Sequence, residues 1–169
     1  MFKKILFFLW QLPQNFLGAL ILLVNLKSRK KGFYLFCTDS NGNQKNIFIT
    51  CDEAMELCDD IGVVHQKIPM YTVKHLCGCG ISLGKRIIID SDSRLDKNVV
   101  RHEYGHQKQS LYLGWLYLVV IGLPSLCGNI IDRVFHKKWT KARRIKWYYS
   151  QPWEKWADSL GGVGRWVSF

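Results

Sequence analysis

The sequence is poor in acidic residues. It contains 13 aspartates and glutamates against 24 lysines and arginines, which gives a formal net charge of +11. Such an excess suits an anionic partner, either a phospholipid surface or a nucleic acid. The chain also lacks zinc-finger spacing and a basic helix with interleaved aromatic residues, which are usual marks of nucleic-acid binding. We therefore expect an anionic membrane surface as a partner and no nucleic acid.

The cysteines show no sign of a disulfide framework. All six are scattered, and a chain of 169 residues with 48% hydrophobic content can build a core without cross-links. Free thiols in a reducing compartment are therefore expected. Cys77-Gly-Cys79, preceded by His75, could bind a second metal, but C-x-C with one nearby histidine is a weak pattern. The remaining cysteines are Cys37, Cys51, Cys58 and Cys127.

No small-residue cleavage site follows the apolar N-terminal stretch, so a secretory signal is not predicted. Residues 5–26 are about long enough to span a bilayer, but polar residues and Pro13 interrupt them near the middle. A kinked helix or two short helices in or on the membrane fit at least as well as a straight span, with Pro13 starting the second helix. We divide the chain into a membrane-associated segment, 1–31, and a domain, 32–169, expected on the cytoplasmic side.

Strand signals begin soon after this segment. Residues 33–36 and 46–50 are strand candidates, and the turn chemistry around Asn41-Gly42 between them favours a hairpin. No clear pattern marks residues 61–80. A β-branched run then predicts a single strand over 81–90. These strands predict a small antiparallel sheet.

Helical signals are stronger than strand signals in the domain. A short helix with an acidic first turn is predicted over 52–60. A longer helix should run from Leu95 to about Leu118, with Ser91 or Ser93 as its N-terminal cap. The predicted fold class is α+β, mainly α, with the sheet leading into this longer helix and a further helix downstream.

The longer helix carries an H-E-x-x-H motif. Histidines four residues apart lie on one helix face, where His102 and His106 can bind one metal ion. Glu103 leans into the same site, where it can take a proton from a water that the metal activates. The alternative is an ordinary helix with two surface histidines. Gly105 disfavours the helix, so either another backbone approaches it closely or it is a tolerated surface glycine.

A strand followed by an H-E-x-x-H helix resembles the zincin class of metallopeptidases. In the branch that includes thermolysin, a Glu of an E-x-x-x-D pattern on a second helix completes the site, and the Asp orients the first histidine. Here the resemblance implies Glu154 as the third ligand of one zinc ion and Asp158 as the partner of His102. Glu154 is the only glutamate after the motif. The alternative leaves Glu154 and Asp158 as solvated helix residues.

The residues around both motifs also resemble a family of small, uncharacterised bacterial membrane-associated proteins. The likeness rests on Gln109-Ser110 after the first motif and on Tyr148-Tyr149-Ser150 before the second. It supplies no substrate.

Residues 111–131 form an apolar run without a charge. By itself such a run is typical of a transmembrane helix. A straight helix of about 30 Å would, however, separate the two motifs, because the strongly basic segment 133–146 cannot cross back. We therefore expect the run to break near Gly122 and Pro124 and to turn back, as a re-entrant hairpin or as helices along the interface. The alternative is a buried helix in a soluble core.

Together these features predict a membrane-associated zinc peptidase that acts on a peptide or protein. His102, His106 and Glu154 would hold the zinc with one position open, and Glu103 would act as general base. The strand at 81–89 could pair with an extended substrate. The candidates for holding the oxyanion are Tyr148, Tyr149 and Arg144.

Two other functions agree with the same sequence. One is a non-catalytic binding or structural protein at the membrane surface, in which zinc serves only to hold helices together. A basic membrane protein without metal, such as a toxin-like or assembly factor, is the third possibility.

The basic segment 133–146, with Trp139 and Trp147, is expected to contact lipid headgroups.

Overall fold

The computed structural model of the chain describes residues 6, 9–39, 41–51, 63–74, 76, 79–94 and 96–165. Within them, five strands form one sheet and five α-helices surround it. The strands are β1 (Lys30–Thr38), β2 (Gln44–Thr50), β3 (Val63–Val73), β4 (Gly80–Leu83) and β5 (Arg86–Asp90). The helices are α1 (Leu12–Val24), α2 (Lys97–Leu113), α3 (Leu123–Phe135), α4 (Lys141–Tyr149) and α5 (Pro152–Gly161). The predicted α+β class is confirmed.

The sheet has the strand order β2-β1-β3-β5-β4 and is mostly antiparallel, with one parallel pair, β3 and β5. The predicted hairpin is present as β1 and β2. Its turn is held by Asp39, whose carboxylate accepts from the backbone N–H groups of Asn41 and Asn43 at 3.0 and 2.9 Å. Gly42 supplies the positive φ of 82° that the turn requires.

The prediction of a single strand over 81–90 is wrong. The segment folds into the hairpin of β4 and β5, joined by Gly84-Lys85. Gly84 has a φ of 61°, and a two-residue hairpin turn needs such left-handed backbone. The β-branched run extends only through β5, so the glycine before it marks a turn. β4 consequently lies at the edge of the sheet, next to the helix α2.

The sheet buries both of its faces against helices. On one face Tyr34, Ile68, Met70 and Ile89 pack with Val100 of α2. The other face packs against α1, where a smaller cluster joins Leu22 to Val73 and Ile88. Alternate residues of β5 thus serve opposite clusters, as the period of two along a strand requires. The sheet positions α2 from one side and α1 from the other.

The starts of α1 and α2 each carry a residue suited to that position. Pro13 lies in the first turn of α1, as predicted. α2 begins at Lys97, and its cap is Asp96 rather than Ser91 or Ser93. The Asp96 carboxylate accepts from the N–H groups of Asn98 and Val99, which a serine one turn earlier could not reach. The helix predicted over 52–60 lies outside the described residues.

The apolar run after the motif breaks at Gly114, not near Gly122 and Pro124. Gly114 has a φ of 54° and ends α2, and a Cβ there would overlap the ring of Trp10. From Leu118 the chain is helical to Phe135, first as a π-helix through Gly122 and then as α3. Pro124 stands in the first turn of α3, where the preceding π-helical turn accommodates it.

Among the residues that the structure describes, one helix, Leu118–Phe135, is long and apolar enough to cross a membrane by length and composition. Only 11% of that window is buried within the described protein. α4 then runs back beside α3. The guanidinium of Arg144 contacts Asp132 at 2.7 Å, and the hydroxyls of Tyr148 and Ser125 lie 2.9 Å apart. This return brings α5 to the motif helix.

Candidate metal centre

The site is built where α5 crosses the motif helix α2 at very short distance. A Cβ on Gly105 would lie 1.9 Å from the carbonyl oxygen of Ala157, and one on Gly161 would lie 2.0 Å from the carbonyl oxygen of Arg101. No side chain fits at either point. The interpretation of Gly105 as a point of close backbone approach is therefore confirmed, and Glu154 is carried directly over the two histidines.

Three buried side chains converge at this crossing. The Nε2 atoms of His102 and His106 lie 2.9 and 3.2 Å from Oε2 of Glu154. One potential ligand atom from each residue lies within 4.8 Å of the other two. Glu154 is fully buried, and the histidines are 3% and 6% exposed. Surface histidines and a solvated glutamate are thus excluded, and the group could bind a metal ion.

The outer nitrogen of each imidazole faces a fixed acceptor. Nδ1 of His102 lies 2.7 Å from Oδ1 of Asp158, as predicted. Nδ1 of His106 lies 2.7 Å from Oε1 of Gln109, whose Nε2 donates to the carbonyl oxygen of Trp153 at 2.8 Å. Both Nδ1 atoms therefore carry a proton. In the neutral rings both Nε2 lone pairs point at Glu154.

With both rings neutral, this arrangement places three electron-pair donors against one another, and a metal cation or a proton at that point relieves their repulsion. A second observation points the same way, because the buried Oε1 of Glu154 has no hydrogen-bond partner. Without metal, a proton takes the cation's place. Burial opposes charging of His102, but hydrogen bonds to Asp158 and Glu154 outweigh it and raise its pKa to about 9. Burial of Glu154 is likewise outweighed by its two histidine contacts, which lower its pKa.

Glu103 is enclosed between the motif helix and the edge of the sheet. Its side chain is 5% exposed and lies against Gly80 of β4, where an added Cβ would come within 2.5 Å of its Cγ. Oε2 of Glu103 is buried without a hydrogen-bond partner. Burial raises the pKa of this carboxyl above its ordinary value. A buried carboxyl with a raised pKa and an oxygen without a hydrogen-bond partner is equipped to accept and return a proton.

The three residues expected to hold an oxyanion have different surroundings. The ring of Tyr149 contacts the ring of His102 edge-on, with centroids 5.0 Å apart, and burial raises its pKa to about 12. Tyr148 is engaged with Ser125. Arg144 is bound to Asp132 through Nε and Nη2, which joins α4 to α3. Of the three, Tyr149 is the one with a ring contact to a candidate metal ligand.

Three further residues belong to the site and were not found from the sequence as functional side chains. Gln109 follows His106 by three positions on α2, a spacing that places them on one face. Arg165 contacts Oδ2 of Asp158 at 3.1 Å and lies 3.6 Å over the ring of Tyr149, which no local pattern signals. Tyr117 is buried, and its hydroxyl donates to the carbonyl oxygen of Ser82 in β4 at 3.1 Å.

Of the residues considered for a second metal site, His75 and Cys77 lie outside the described residues. Cys79 lies 3.5 Å from a guanidinium nitrogen of Arg133. Among the residues that the structure describes, the cluster that could bind a metal ion is the one formed by His102, His106 and Glu154.

No protein-family model, curated protein sequence or solved structure matches this chain significantly.

Proposed function

We propose that the protein is a membrane-associated, zinc-dependent peptidase. The observation that carries the proposal is the convergence of two Nε2 lone pairs and one carboxylate oxygen, with a second buried carboxyl, Glu103, directly after the first ligand. Both imidazoles are already held in the tautomer that metal binding needs. Such a preorganised donor set with an adjacent proton acceptor supports hydrolysis more than any other chemistry that these residue types perform.

The donor set fits zinc. Two imidazoles and one carboxylate form the three-ligand set that zinc hydrolases use, with a fourth position left for water or substrate. When bound, zinc would acidify a water in that position and polarise the carbonyl oxygen of a peptide bond. Asp158 and Gln109 would hold the imidazoles in place, and Arg165 would hold Asp158.

The remaining steps fall to the chain's own residues. Glu103 would take the proton of the attacking water and deliver it to the leaving amine, which its buried position and raised pKa favour. β4 lies at the end of the strand order beside Glu103, so an extended peptide could add to that edge. Tyr149, in contact with His102, is the best placed of the three oxyanion candidates.

The membrane location is supported by α1, which turns polar residues toward the protein and apolar residues outward. The side of α1 that faces the protein carries Gln14, Asn15 and Gly18, all buried, while Phe16 and Val24 are 70% and 79% exposed. A helix on a water-soluble domain has the opposite arrangement. Further exposed apolar residues of α1 are Leu12, Leu17, Leu20 and Leu23.

The apolar surface of α1 is continuous with that of the segment after the motif. The indole nitrogen of Trp10 donates to Leu111 at 3.0 Å, and that of Trp115 donates to the carbonyl oxygen of Leu9 at 2.9 Å. Gln14 also donates to the carbonyl oxygen of Gly114. We call the exposed apolar residues of α1 and of 111–135 the apolar surface, and propose that it contacts hydrocarbon.

A position along the bilayer surface fits better than a crossing helix. α4 runs beside α3 and carries four cations, so inserting α3 across the membrane would draw those charges into hydrocarbon. At the interface they would face headgroups instead. The described cysteines are free thiols, which suits the cytoplasmic side. The cations of α4 are Lys141, Arg143, Arg144 and Lys146.

The proposal is tested with the Glu103→Gln variant. It should retain one zinc per chain and lose at least a hundredfold in turnover of a peptide library presented with vesicles, because the amide cannot take a proton. Elemental analysis measures the zinc. Asp92→Asn, on an exposed loop, is the matched control and should match wild type. Hydrolysis by Glu103→Gln at the wild-type rate contradicts the proposal.

Near-complete burial of all three ligands favours a second candidate, a zinc ion that only holds α2 and α5 together. Structural zinc contributes directly to folding, whereas a catalytic site loses activity first. Removal of zinc with a chelator distinguishes the two. Unfolding on removal, without hydrolysis by the loaded protein, supports the structural role, and a folded but inactive metal-free protein supports the peptidase.

A further inference from the structure

A basic cleft of about 380 Å³ lies between α1 and the sheet, on the opposite sheet face from the metal centre. Its floor is formed by Lys31, Tyr71 and Arg86, which lie on the sheet face that packs against α1. Lys31 of β1 pairs with Tyr71 of β3, which in turn pairs with Ile88 of β5. Arg86 lies two positions before Ile88 and therefore on the same face. Ala19 and Leu22 of α1 form the wall, and Arg29 closes one side. Three cations therefore line one opening.

The two guanidinium groups are held in position by the backbone of α1. Nη1 of Arg29 donates to the carbonyl oxygen of Leu22 at 3.3 Å, and Nη1 of Arg86 donates to the carbonyl oxygen of Asn15 at 2.9 Å. Each guanidinium retains further N–H groups for a ligand. Across the described part of the chain, Arg29, Lys31 and Arg86 form no ion pair with a carboxylate, so no acidic side chain of that part balances their charges.

The chemistry of the cleft favours a phosphate group, because fixed guanidinium groups bind its oxygens in paired hydrogen bonds and a lysine adds charge. Its position favours a phosphate that is attached to a lipid. Ala19 of the wall is exposed and lies next to Leu20 and Leu23 of the apolar surface, which are 45% and 58% exposed. A lipid bound here would place its headgroup in the cleft and its chains along α1.

We propose that this cleft binds the phosphate headgroup of an anionic phospholipid and thereby fixes the orientation of the protein on the membrane. The site rests on the membrane location proposed above but not on zinc or hydrolysis, since none of its residues contacts the metal centre. Binding would hold α1 against the sheet. Because Gln14 of α1 donates to the carbonyl oxygen of Gly114, it would also support the bend at Gly114.

The experiment compares two charge reversals on neighbouring residues of β1. Lys31→Glu places an anion in the cleft, whereas Lys30→Glu changes the net charge equally on the opposite face of the strand. Binding to vesicles of phosphatidylcholine mixed with phosphatidylglycerol is measured by flotation. We expect Lys31→Glu to bind roughly tenfold more weakly than Lys30→Glu, as loss of one charged contact predicts. Arg29→Glu provides a second cleft variant in case Lys31→Glu does not fold, which circular dichroism shows.

The outcomes separate this proposal from the others. Equal binding by the cleft variants and Lys30→Glu contradicts the cleft and leaves only general charge attraction. Failure of the wild-type protein to bind vesicles contradicts the membrane location and the lipid site together, while leaving the zinc chemistry intact. A thermal shift with inorganic phosphate that vesicles do not reproduce also contradicts a lipid ligand and indicates a soluble phosphate.

Discussion

At the scale of single residues, the candidate site is set by hydrogen bonds outside the metal position. Asp158 and Gln109 each accept a hydrogen bond from the Nδ1–H of one histidine, and Arg165 contacts the other oxygen of Asp158. Without these partners the imidazoles could rotate or change tautomer. The outer contacts therefore determine whether His102 and His106 present lone pairs to one point.

Replacing Asp158 by alanine should weaken zinc binding by about 10–100-fold, since the imidazole of His102 loses its orienting acceptor. Competition with a chromophoric chelator measures the affinity. Asp92→Ala removes an exposed carboxylate of the loop before α2 and should bind zinc like wild type. Equal affinities for the two variants would show that Asp158 does not orient the ligand.

The metal-free protein should lose stability as the pH rises. The pKa of His102 is raised from 6.5 to about 9, so its contribution is complete below the unfolded value and is lost as the pH rises through about 9. Glu154 has a lowered pKa, so its contribution is present above its ordinary value of 4.5 and is lost only as the pH falls through the lower folded value. Maximum stability without metal is expected between these two ordinary values, 4.5 and 6.5.

Zinc should reverse this trend, because it replaces the proton shared by His102 and Glu154 and binds more tightly as that proton becomes easier to remove. Thermal unfolding of chelator-treated and zinc-loaded protein measures both effects. The difference in melting temperature should widen steadily from about pH 6 to about pH 9. A constant difference across that interval would rule out proton competition at these ligands.

At the scale of secondary-structure elements, the crossing of α2 and α5 is the critical contact. Glycines on both helices, Gly105 and Gly161, meet the partner's backbone, so the axes approach more closely than ordinary side chains permit. Because the helix axes are so close, the side chain of Glu154 is long enough to place its carboxylate between the two imidazoles. The helix crossing, more than the motif itself, thus assembles the candidate site.

Gly105→Ala tests this crossing. Alanine favours a helix by about 1 kcal/mol over glycine, but its Cβ would lie 1.9 Å from Ala157 O and must push the helices apart. We expect a net loss of about 1–3 kcal/mol in unfolding free energy and weaker zinc binding. Gly128→Ala on α3 is the matched control, since the added methyl meets Tyr148 at an ordinary 3.7 Å and should be neutral or stabilising. Denaturant unfolding measures both, and equal effects would contradict the crossing argument.

At the scale of the whole molecule, an ordinary buried core stands beside an exposed apolar surface. The sheet and the inner side of α2 form an ordinary core, whereas α1 and the helix from Leu118 to Phe135 turn apolar residues outward. The basic helix α4 lies beside the second of these helices. An apolar surface bordered by cations matches the layering of a bilayer interface.

Phe16→Glu should reduce partitioning into anionic vesicles by roughly tenfold or more, because it removes a large apolar side chain that is 70% exposed and adds a repelled charge. Zinc content should not change. Val64→Glu makes a similar change at a residue of β3 that is 43% exposed and lies outside the apolar surface. Flotation assays compare the variants, and an equal loss in both would mean that the apolar surface has no special role.

Local patterns in the sequence were sufficient for the features that depend on neighbouring residues. The spacing of His102 and His106 defines one helix face, and Asn41-Gly42 favours the hairpin, because both follow from backbone geometry within a few residues. The same logic gave errors where one glycine changed the outcome. Gly84 divides a predicted strand, and Gly114 ends a helix at Leu113, about five residues before the expected end, since each glycine adopts a positive φ.

Contacts between distant parts of the chain were decided by the tertiary structure alone. The approach of Glu154 to the histidines spans 48 residues and required the bend at Gly114, the return of α4 and the glycine crossing. The sequence by itself determined the spacing of His102 and His106 and, through a resemblance, proposed Glu154 as the residue that joins them. Only the fold decided that these groups share one buried point, because long-range packing, not local propensity, sets the distance between α2 and α5.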